Sequence, residues 1–585
     1  MSTRLESIAP SLLVLASLLW LGRGNERRVS AADRPYGPLH KTRSAVLARQ
    51  GMAATSQPLA TAAAIRVLQK DGNAVDAAIA ANAVLGVVEP MSCGLGGDLF
   101  AIVWDARSRK LYGLNASGRS PAAASLALFR ARGLKEIPLH GPLSWSIPGC
   151  VDGWGELRRK FGSRSWGELL EPAIQYAERG FPVSEIIAAD WNAAAPALGR
   201  IPTSAACFLP GGHAPPAGTV FRNPELAQSL RMIVEGGRDA FYRGPLARSI
   251  VSYSQSVGGL FTLADFAEHS STWVEPVSTN YRGFDIWELP PNGQGIAVLQ
   301  MLNLLERYDL KRLGFGSAET LHLMIEAKKL VYEDRARYYA DMEKAQVPVK
   351  ELISKAYAAR RQALIDPERA NLHPTPGEPL QADTIYLTVV DKDFNCVSLI
   401  QSNFHGFGSL HVPGELGFPL QNRGCLFALD ETHPNRLEPR KRPFHTIIPG
   451  FVTRDGKPWL SFGLMGGDMQ AQGHVQVLCN LIDFGMDVQE AGDAPRFRHF
   501  GSSEPTGQPA EGGGSVELES AIAAEVRQAL EAKGHKLVRS TPGGFGGYQA
   551  IRIDLEHGVL IGAKTAPRWG TESGCLRSSQ ALQPL

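Results

Sequence analysis

At 585 residues, with 44% hydrophobic and 20% charged side chains, the chain is long enough to bury one very large core or several ordinary ones. Its 60 basic residues nearly cancel its 58 acidic ones, leaving a net charge of +2. With no long run of either sign there is no footprint for nucleic acid or an acidic membrane, and a small-molecule partner is the better expectation.

Residues 1–39 read as a leader. Ser11 to Gly22 is apolar but too short to span a bilayer, and its length suits the apolar part of a signal peptide, with Val29-Ser30-Ala31 as a small-residue cleavage site. The chain would be periplasmic or secreted if residues 1–31 act this way, and cytoplasmic otherwise. Pro58 to Gln69 and Ala74 to Val88 are predicted as two largely buried helices, split by Asp71-Gly72-Asn73. The run Cys93-Gly-Leu-Gly-Gly-Asp98 lacks the spacing of a dinucleotide loop and does not follow a clear strand. Ser317 to Asp341 carries apolar residues at helical spacing and a charged opposite face, which predicts an amphipathic helix. Met342 to Ala382 turns polar and, near its end, proline-bearing, as an exposed linker does.

At Thr384 the character changes. The run TIYLTVV, the turn Asp391 to Asn395 and the run CVSLIQS predict a hairpin. TIIPGFV, WLSFGL and QAIRIDLEHGVLIGA repeat the strand habit, while Gly473 to Phe484 and Leu518 to Lys533 are predicted helical. Together these elements predict antiparallel sheets covered by helices, an α+β fold.

The chain has no GxSxG elbow, no HExxH and no Cys-His or Ser-His-Asp order. Its seven cysteines form no CxxC pair, so neither a zinc site nor a disulfide framework is indicated, and they read as small buried residues. A threonine that leads a strand commonly just fits the strand. Thr384 gains interest from what cleavage before it would create, because a freed α-amine has a reference pKa of about 7.7 to 8 and can serve as base for the hydroxyl of the same residue.

Several separate blocks then resemble one family: residues 51–100 (GMAATSQPLA through GLGGDLF), SIPGCVDGW at 146–154, YEDRARYYAD at 332–341, DTIYLTVVDKDFN at 383–395, RKRPFHTIIPGF at 440–451 and LMGGDMQAQGHVQV at 464–477. In these the chain resembles the γ-glutamyltranspeptidase family over nearly all of residues 40–585. The resemblance implies a four-layer αββα sandwich of the N-terminal-nucleophile hydrolase kind, built from two associated chains cut between Asp383 and Thr384. Residues 40–383 would be the large chain and 384–585 the small one. It further implies Thr384 as nucleophile, Ser402 as supporting hydroxyl and the Gly466-Gly467 N–H groups as oxyanion donors, with no metal or organic cofactor.

The acyl pocket departs from the family pattern. The acidic residue that binds a substrate ammonium maps onto Leu426, and a neighbouring polar contact onto Arg423. An asparagine maps onto Phe404, with Asn403 beside it, and a carboxylate-gripping serine pair maps onto His445-Thr446. The partner arginine's position holds Ser117, with Arg119 two residues on. An arginine opposes an ammonium, so an anionic or neutral acyl group suits this pocket better. The short stretch between Phe427 and Arg442 lacks the longer lid of typical transpeptidases, which favours water as acceptor over transpeptidation.

The expected function is hydrolysis of γ-glutamyl (glutathione-like) or related acyl amides through an acyl-threonine. The alternatives are oxamate or glutaryl/cephalosporin specificity, and, in another class, an unprocessed binding or scaffold protein. A homo-oligomer is left open.

Overall fold

The computed structural model describes residues 42–373, 383–510, 512–541, 543–565 and 582–584. The leader reading, the end of the proposed linker and Cys575 lie outside these residues.

Two seven-stranded antiparallel sheets organise the molecule. One runs Leu582–Pro584, Gly51–Thr55, Asp383–Asp391, Cys396–Phe404, Asp98–Asp105, Lys110–Ala116, Thr272–Val274. The other runs Val46–Ala48, Val559–Lys564, Tyr548–Asp554, Lys457–Leu464, Gly450–Arg454, Phe284–Glu288, Val277–Tyr281. Strand alternation assigns the layers, because successive side chains point to opposite faces. In the first sheet Leu99, Ala101, Val103, Leu387, Val389, Val397 and Leu399 pack on a helical layer that includes Pro58–Gln69 and Ala74–Val88. Their neighbours Phe100, Ile102, Trp104, Tyr386, Val390 and Ile400 instead meet Phe451, Ile551 and Ile553 of the second sheet. The outer face of that sheet, with Val452, Leu460, Phe462 and Ala550, packs on helices Gly295–Leu305, Ala318–Tyr338 and Met469–Ile482. The result is the αββα sandwich. Within it Thr388 and Ser461 join hydroxyls across the two sheets at 2.7 Å.

The predicted hairpin forms at Asp383–Asp391 and Cys396–Phe404. Asp391 builds its turn by accepting from the backbone N–H groups of Asp393 and Asn395, both at 3.0 Å. The two early helices form as expected; Asn73 and Asp76 make a capping box that starts the second.

Three expectations need correction. Helix Ala318–Tyr338 is not amphipathic: Glu326, Lys328, Lys329, Glu333, Asp334 and Arg335 are all buried, because the helix lies inside the assembly and its charges find partners there. The exposed linker expected from Met342 contains helices Val349–Leu352 and Lys355–Gln362, whose Val349, Leu352 and Ala358 join the core. The helix expected from Leu518 begins at Ala524, and Leu518 itself ends the strand Ser515–Leu518.

All six cysteines among the described residues are free, and five are buried. No helix among the described residues is long and apolar enough to cross a membrane.

Candidate active site

Four chain segments meet at one end of the space between the sheets. Strand Asp383–Asp391 begins there, and strand Cys396–Phe404 ends there, carrying Ser402 opposite Asp98 at the start of its own strand. The pairing of Asp383 with Phe404 shifts register before Ile385 pairs with Gln401, so the backbone of Thr384 sits at an irregularity beside Ser402. Strand Lys457–Leu464 delivers the turn Gly466-Gly467 to the same end.

Ser402 is fully buried, and its hydroxyl oxygen accepts from the Phe404 N–H at 2.8 Å and from Arg423 Nη2 at 3.0 Å. Arg423 also donates from Nη1 to Thr446 Oγ1 at 2.6 Å, and its guanidinium lies over the Phe404 ring at 4.3 Å. It is 0% exposed, forms no carboxylate ion pair among the described residues, and its Nε has no partner there. Burial pushes the guanidinium down to about 9, against the opposing pull of Asp98, so it stays cationic at neutral pH. The structure thus places a desolvated positive charge, held only by hydroxyls and a ring face, one hydrogen bond from Ser402.

Asp98 was not singled out from sequence. Its Oδ1 accepts from the N–H groups of Gly118 at 2.9 Å and Gly149 at 3.2 Å, and its Oδ2 meets His445 Nε2 at 3.1 Å. Burial pushes the Asp98 carboxyl up to about 7 despite the nearby Arg423 charge. Burial also holds His445 well below the usual imidazole range, reinforced by Arg423, so His445 is neutral. Its ring packs on Phe100 at 4.8 Å.

Gly466 and Gly467 have φ of 118° and 57°, conformations that strongly favour glycine. Their carbonyls accept from the N–H groups of Met469 at 2.9 Å and Gln470 at 3.1 Å as helix Met469–Ile482 begins. Their own N–H groups donate to no acceptor among the described residues. Two adjacent backbone donors just before a helix start form an arrangement able to hold developing negative charge.

The sequence-predicted residues therefore separate. Ser402, Arg423 and Thr446 come together, and Gly466-Gly467 and the Thr384 backbone reach the same end of the sheets. His445, adjacent to Thr446, turns instead to Asp98. Asn403 points off the opposite face of its strand, where its Nδ2 donates to the Pro90 carbonyl at 3.3 Å and its Oδ1 is buried without a partner among the described residues. Arg119 donates to Glu343 at 2.8 Å and to the Ser270 carbonyl at 3.0 Å, away from Ser402. Burial alone would raise Glu343, but the hydrogen bond from Arg119 and the charge of Arg442 hold it down at about 2. Neither Asn403 nor Arg119 touches the Ser402–Arg423–Thr446 group. Ser402, Arg423 and Leu426 are all buried.

One cluster among the described residues has metal-like composition: His322, Glu326 and His535, with ligand atoms within 4.8 Å of one another. Both Glu326 oxygens are already engaged, by Lys329 Nζ at 2.7 Å and by the Asn371 N–H at 3.1 Å, and the two imidazoles bond to each other at 2.8 Å. His535 Nδ1 has no partner among the described residues, but with both Glu326 oxygens engaged and the Lys329 amine alongside, the cluster is a poor cation site.

The sequence matches the family model described as Gamma-glutamyltranspeptidase over residues 60–574. The chain belongs to the γ-glutamyltranspeptidase family. It is 38% identical over 520 residues to the glutathione hydrolase-like YwrD proenzyme of Bacillus subtilis, covering 88% of this chain and 97% of that one. It is 33% identical over 536 residues to the oxamate amidohydrolase proenzyme of Klebsiella pneumoniae, covering 90% and 98%. Among solved structures it is similar to the cephalosporin acylase of Bacillus halodurans, with a TM-score of 0.85 at 39% identity over 95% of this chain and 99% of that one. As a γ-glutamyltranspeptidase-family protein it is an autoprocessed amidohydrolase made as a proenzyme, with the N-terminal-nucleophile fold.

Proposed function

We propose that Thr384, once freed by scission after Asp383, hydrolyses amides whose acyl group carries a carboxylate, and that Arg423 reads that carboxylate. The observation that carries this is the buried Arg423 cation with no carboxylate partner among the described residues. Withdrawing a guanidinium from water costs several kcal/mol, and a bound anion offsets that cost while hydroxyls do so only partly. A substrate ammonium would add a second positive charge to the same poorly solvated space.

In this reading the Thr384 α-amine takes the hydroxyl proton as Oγ1 attacks the amide carbon. The Gly466 and Gly467 N–H groups hold the resulting oxyanion, and the proton passes to the departing amine as the C–N bond breaks. Water, deprotonated by the same amine, then attacks the acyl-Thr384 ester and releases the acid. Ser402 supports the nucleophile through its hydroxyl. The nearby Arg423 charge lowers the amine's pKa and keeps it unprotonated near neutrality. Because Arg423 lies one hydrogen bond from Ser402, a carboxylate held there is close to the reacting carbon. A short oxamate-like acyl group therefore fits this reading better than a longer glutaryl one, and a γ-glutamyl group fits least.

N-terminal sequencing of the mature small chain should begin at Thr384. Ammonia or amine release from oxamate, a glutaryl amide and γ-glutamyl-nitroanilide, measured side by side, should rank in that order of kcat/KM; a clear preference for the last would overturn the assignment of Arg423.

A further inference from the structure

Behind the glycine turn lies a buried brace that the sequence did not single out. Gln294, immediately before helix Gly295–Leu305, is fully buried, and its single side-chain nitrogen donates to two carbonyls, Thr446 at 2.7 Å and Gly467 at 3.0 Å. Its side-chain oxygen accepts from Arg335 Nη1 at 2.9 Å, which fixes which end of the amide faces the turn. Arg335, also fully buried, pairs through the same nitrogen with Asp468, the residue that follows Gly467, and through Nη2 with Glu504 at 2.7 Å. Its guanidinium is flanked by the rings of Tyr332 at 4.0 Å and Phe444 at 5.3 Å, and the Tyr332 hydroxyl donates to the Asp468 carbonyl.

These bonds converge on backbone that has little rigidity of its own. Gly466 and Gly467 carry no side chains and sit at positive φ, so no side chain of their own holds their peptide planes. Helix Met469–Ile482 fixes them from one side through the Gly466 and Gly467 carbonyls. Gln294 fixes the Gly467 carbonyl from the other side, and Arg335 fixes Asp468. The same amide nitrogen holds the carbonyl of Thr446, whose hydroxyl contacts Arg423.

We infer that Gln294, aligned by Arg335, is a positioning residue that locks the Gly466-Gly467 turn to the acyl pocket so that the two glycine N–H groups point at the reacting carbonyl. The inference rests on the reading of that turn as the oxyanion donor. Donors aimed at developing charge act only within a narrow range of geometry, so a turn left free to rotate loses transition-state binding while ground-state binding persists.

The test compares the mature enzyme with Gln294→Leu, Gln294→Glu, Gly467→Ala and Leu302→Ala. Leu302 lies on the same helix in the core and touches none of these groups through a polar atom, so its variant controls for lost stability alone. Gln294→Glu retains the acceptor for Arg335 but cannot donate to the two carbonyls. Both Gln294 variants should lower kcat by about ten- to a hundredfold, with KM changed less than about threefold, and should slow self-cleavage in parallel. Leu302→Ala should leave kcat within about twofold at a temperature where it stays folded. If Gln294→Leu loses no more kcat than Leu302→Ala at matched residual stability while Gly467→Ala is inactive, the brace is overturned and the oxyanion reading stands. If Gly467→Ala keeps full kcat, the oxyanion reading falls and the brace with it.

Discussion

Arg423 donates to the Ser402 hydroxyl at 3.0 Å while both side chains are sealed from solvent, so the buried charge and this hydroxyl form one unit. Replacing Arg423 by Gln keeps a donor but removes the charge. Charge-assisted hydrogen bonds contribute about 1.5 to 3 kcal/mol, so kcat/KM for a carboxylate-bearing amide should fall by roughly ten- to a hundredfold. An uncharged acyl amide of similar size should lose less than about threefold, or gain. Steady-state kinetics on the pair checks this, and an equal loss on both substrates would show that Arg423 supports the site without reading the acyl group.

Asp98 depends on two close backbone approaches. A Cβ on Gly118 would lie 1.6 Å from the Ile147 carbonyl oxygen, while the Gly118 N–H donates to Asp98. Gly118→Ala must therefore displace the backbone of Ile147, withdraw a hydrogen bond from a buried carboxyl, or both. Overpacking of this kind costs about 1 to 3 kcal/mol and occasionally more, and an unsatisfied buried acceptor adds about 1 to 3 kcal/mol. Urea unfolding should show a lowered midpoint with unchanged slope, and the surviving folded enzyme should have reduced kcat. A loss of unfolding free energy below about half a kcal/mol would mean that the loop relaxes freely.

How much of this was legible beforehand differs by residue. The layers were readable because strand periodicity is local: Tyr386, Val390, Leu387 and Val389 alternate in sequence as they do in space. Thr384, Ser402 and Gly466-Gly467 were reached through blocks of resemblance and not through spacing. What failed was anything that depends on which of two neighbouring side chains turns inward. Asn403 and Ser402 differ by one position and so face opposite sides of a strand. His445 and Thr446 divide in the same way. Helix Ala318–Tyr338 misled because its charges resemble a solvated face, and only tertiary partners such as Asp468 and Glu504 for Arg335 make their burial tolerable. Asp98, Gln294 and Arg335 carried no local mark, since their significance lies in contacts with segments more than 40 residues away in the chain.

A second buried pair sets a pH dependence. Glu288 and His474 are both fully buried, with Oε1 and Nδ1 2.8 Å apart. Burial raises Glu288 well above the usual carboxyl range and lowers His474 to about 3, so the pair is neutral and the carboxyl proton bridges it. The histidine, depressed on folding, contributes stability that is present above about 6.5 and is lost as pH falls toward 3. The carboxyl, raised on folding, contributes stability that is complete below about 4.3 and declines as pH rises toward its folded pKa. Above pH 6.5 only the second slope remains. Glu288→Gln keeps a donor for Nδ1 and has no proton to lose. Between pH 6.5 and 8 the variant should gain on the parent by up to about 1.4 kcal/mol per pH unit. Parallel thermal or urea unfolding across that range checks it, and a constant difference would mean that Glu288 is ionised in the folded protein.

With the scission placed after Asp383, as proposed, the two chains cannot easily part. Strand Cys396–Phe404, downstream of the cut, pairs in register with upstream strand Asp98–Asp105 from Cys396 opposite Trp104 to Ser402 opposite Asp98. Strand Asp383–Asp391 pairs with upstream strand Gly51–Thr55, and in the second sheet strand Gly450–Arg454 pairs with upstream strand Phe284–Glu288. The layer between the sheets mixes the two parts, with Phe100 and Ile102 from one side of the cut and Tyr386, Ile400 and Phe451 from the other. Separation would expose this core and unpair backbone on both sheets, costs comparable with global unfolding rather than with release of a docked subunit. The mature protein should therefore elute as one species in native size-exclusion chromatography at any dilution that permits detection. Its chains should separate only in the urea range where tryptophan fluorescence reports unfolding, and both signals should share one midpoint. Chain release at a lower urea concentration than the fluorescence change would show that one part retains a core of its own.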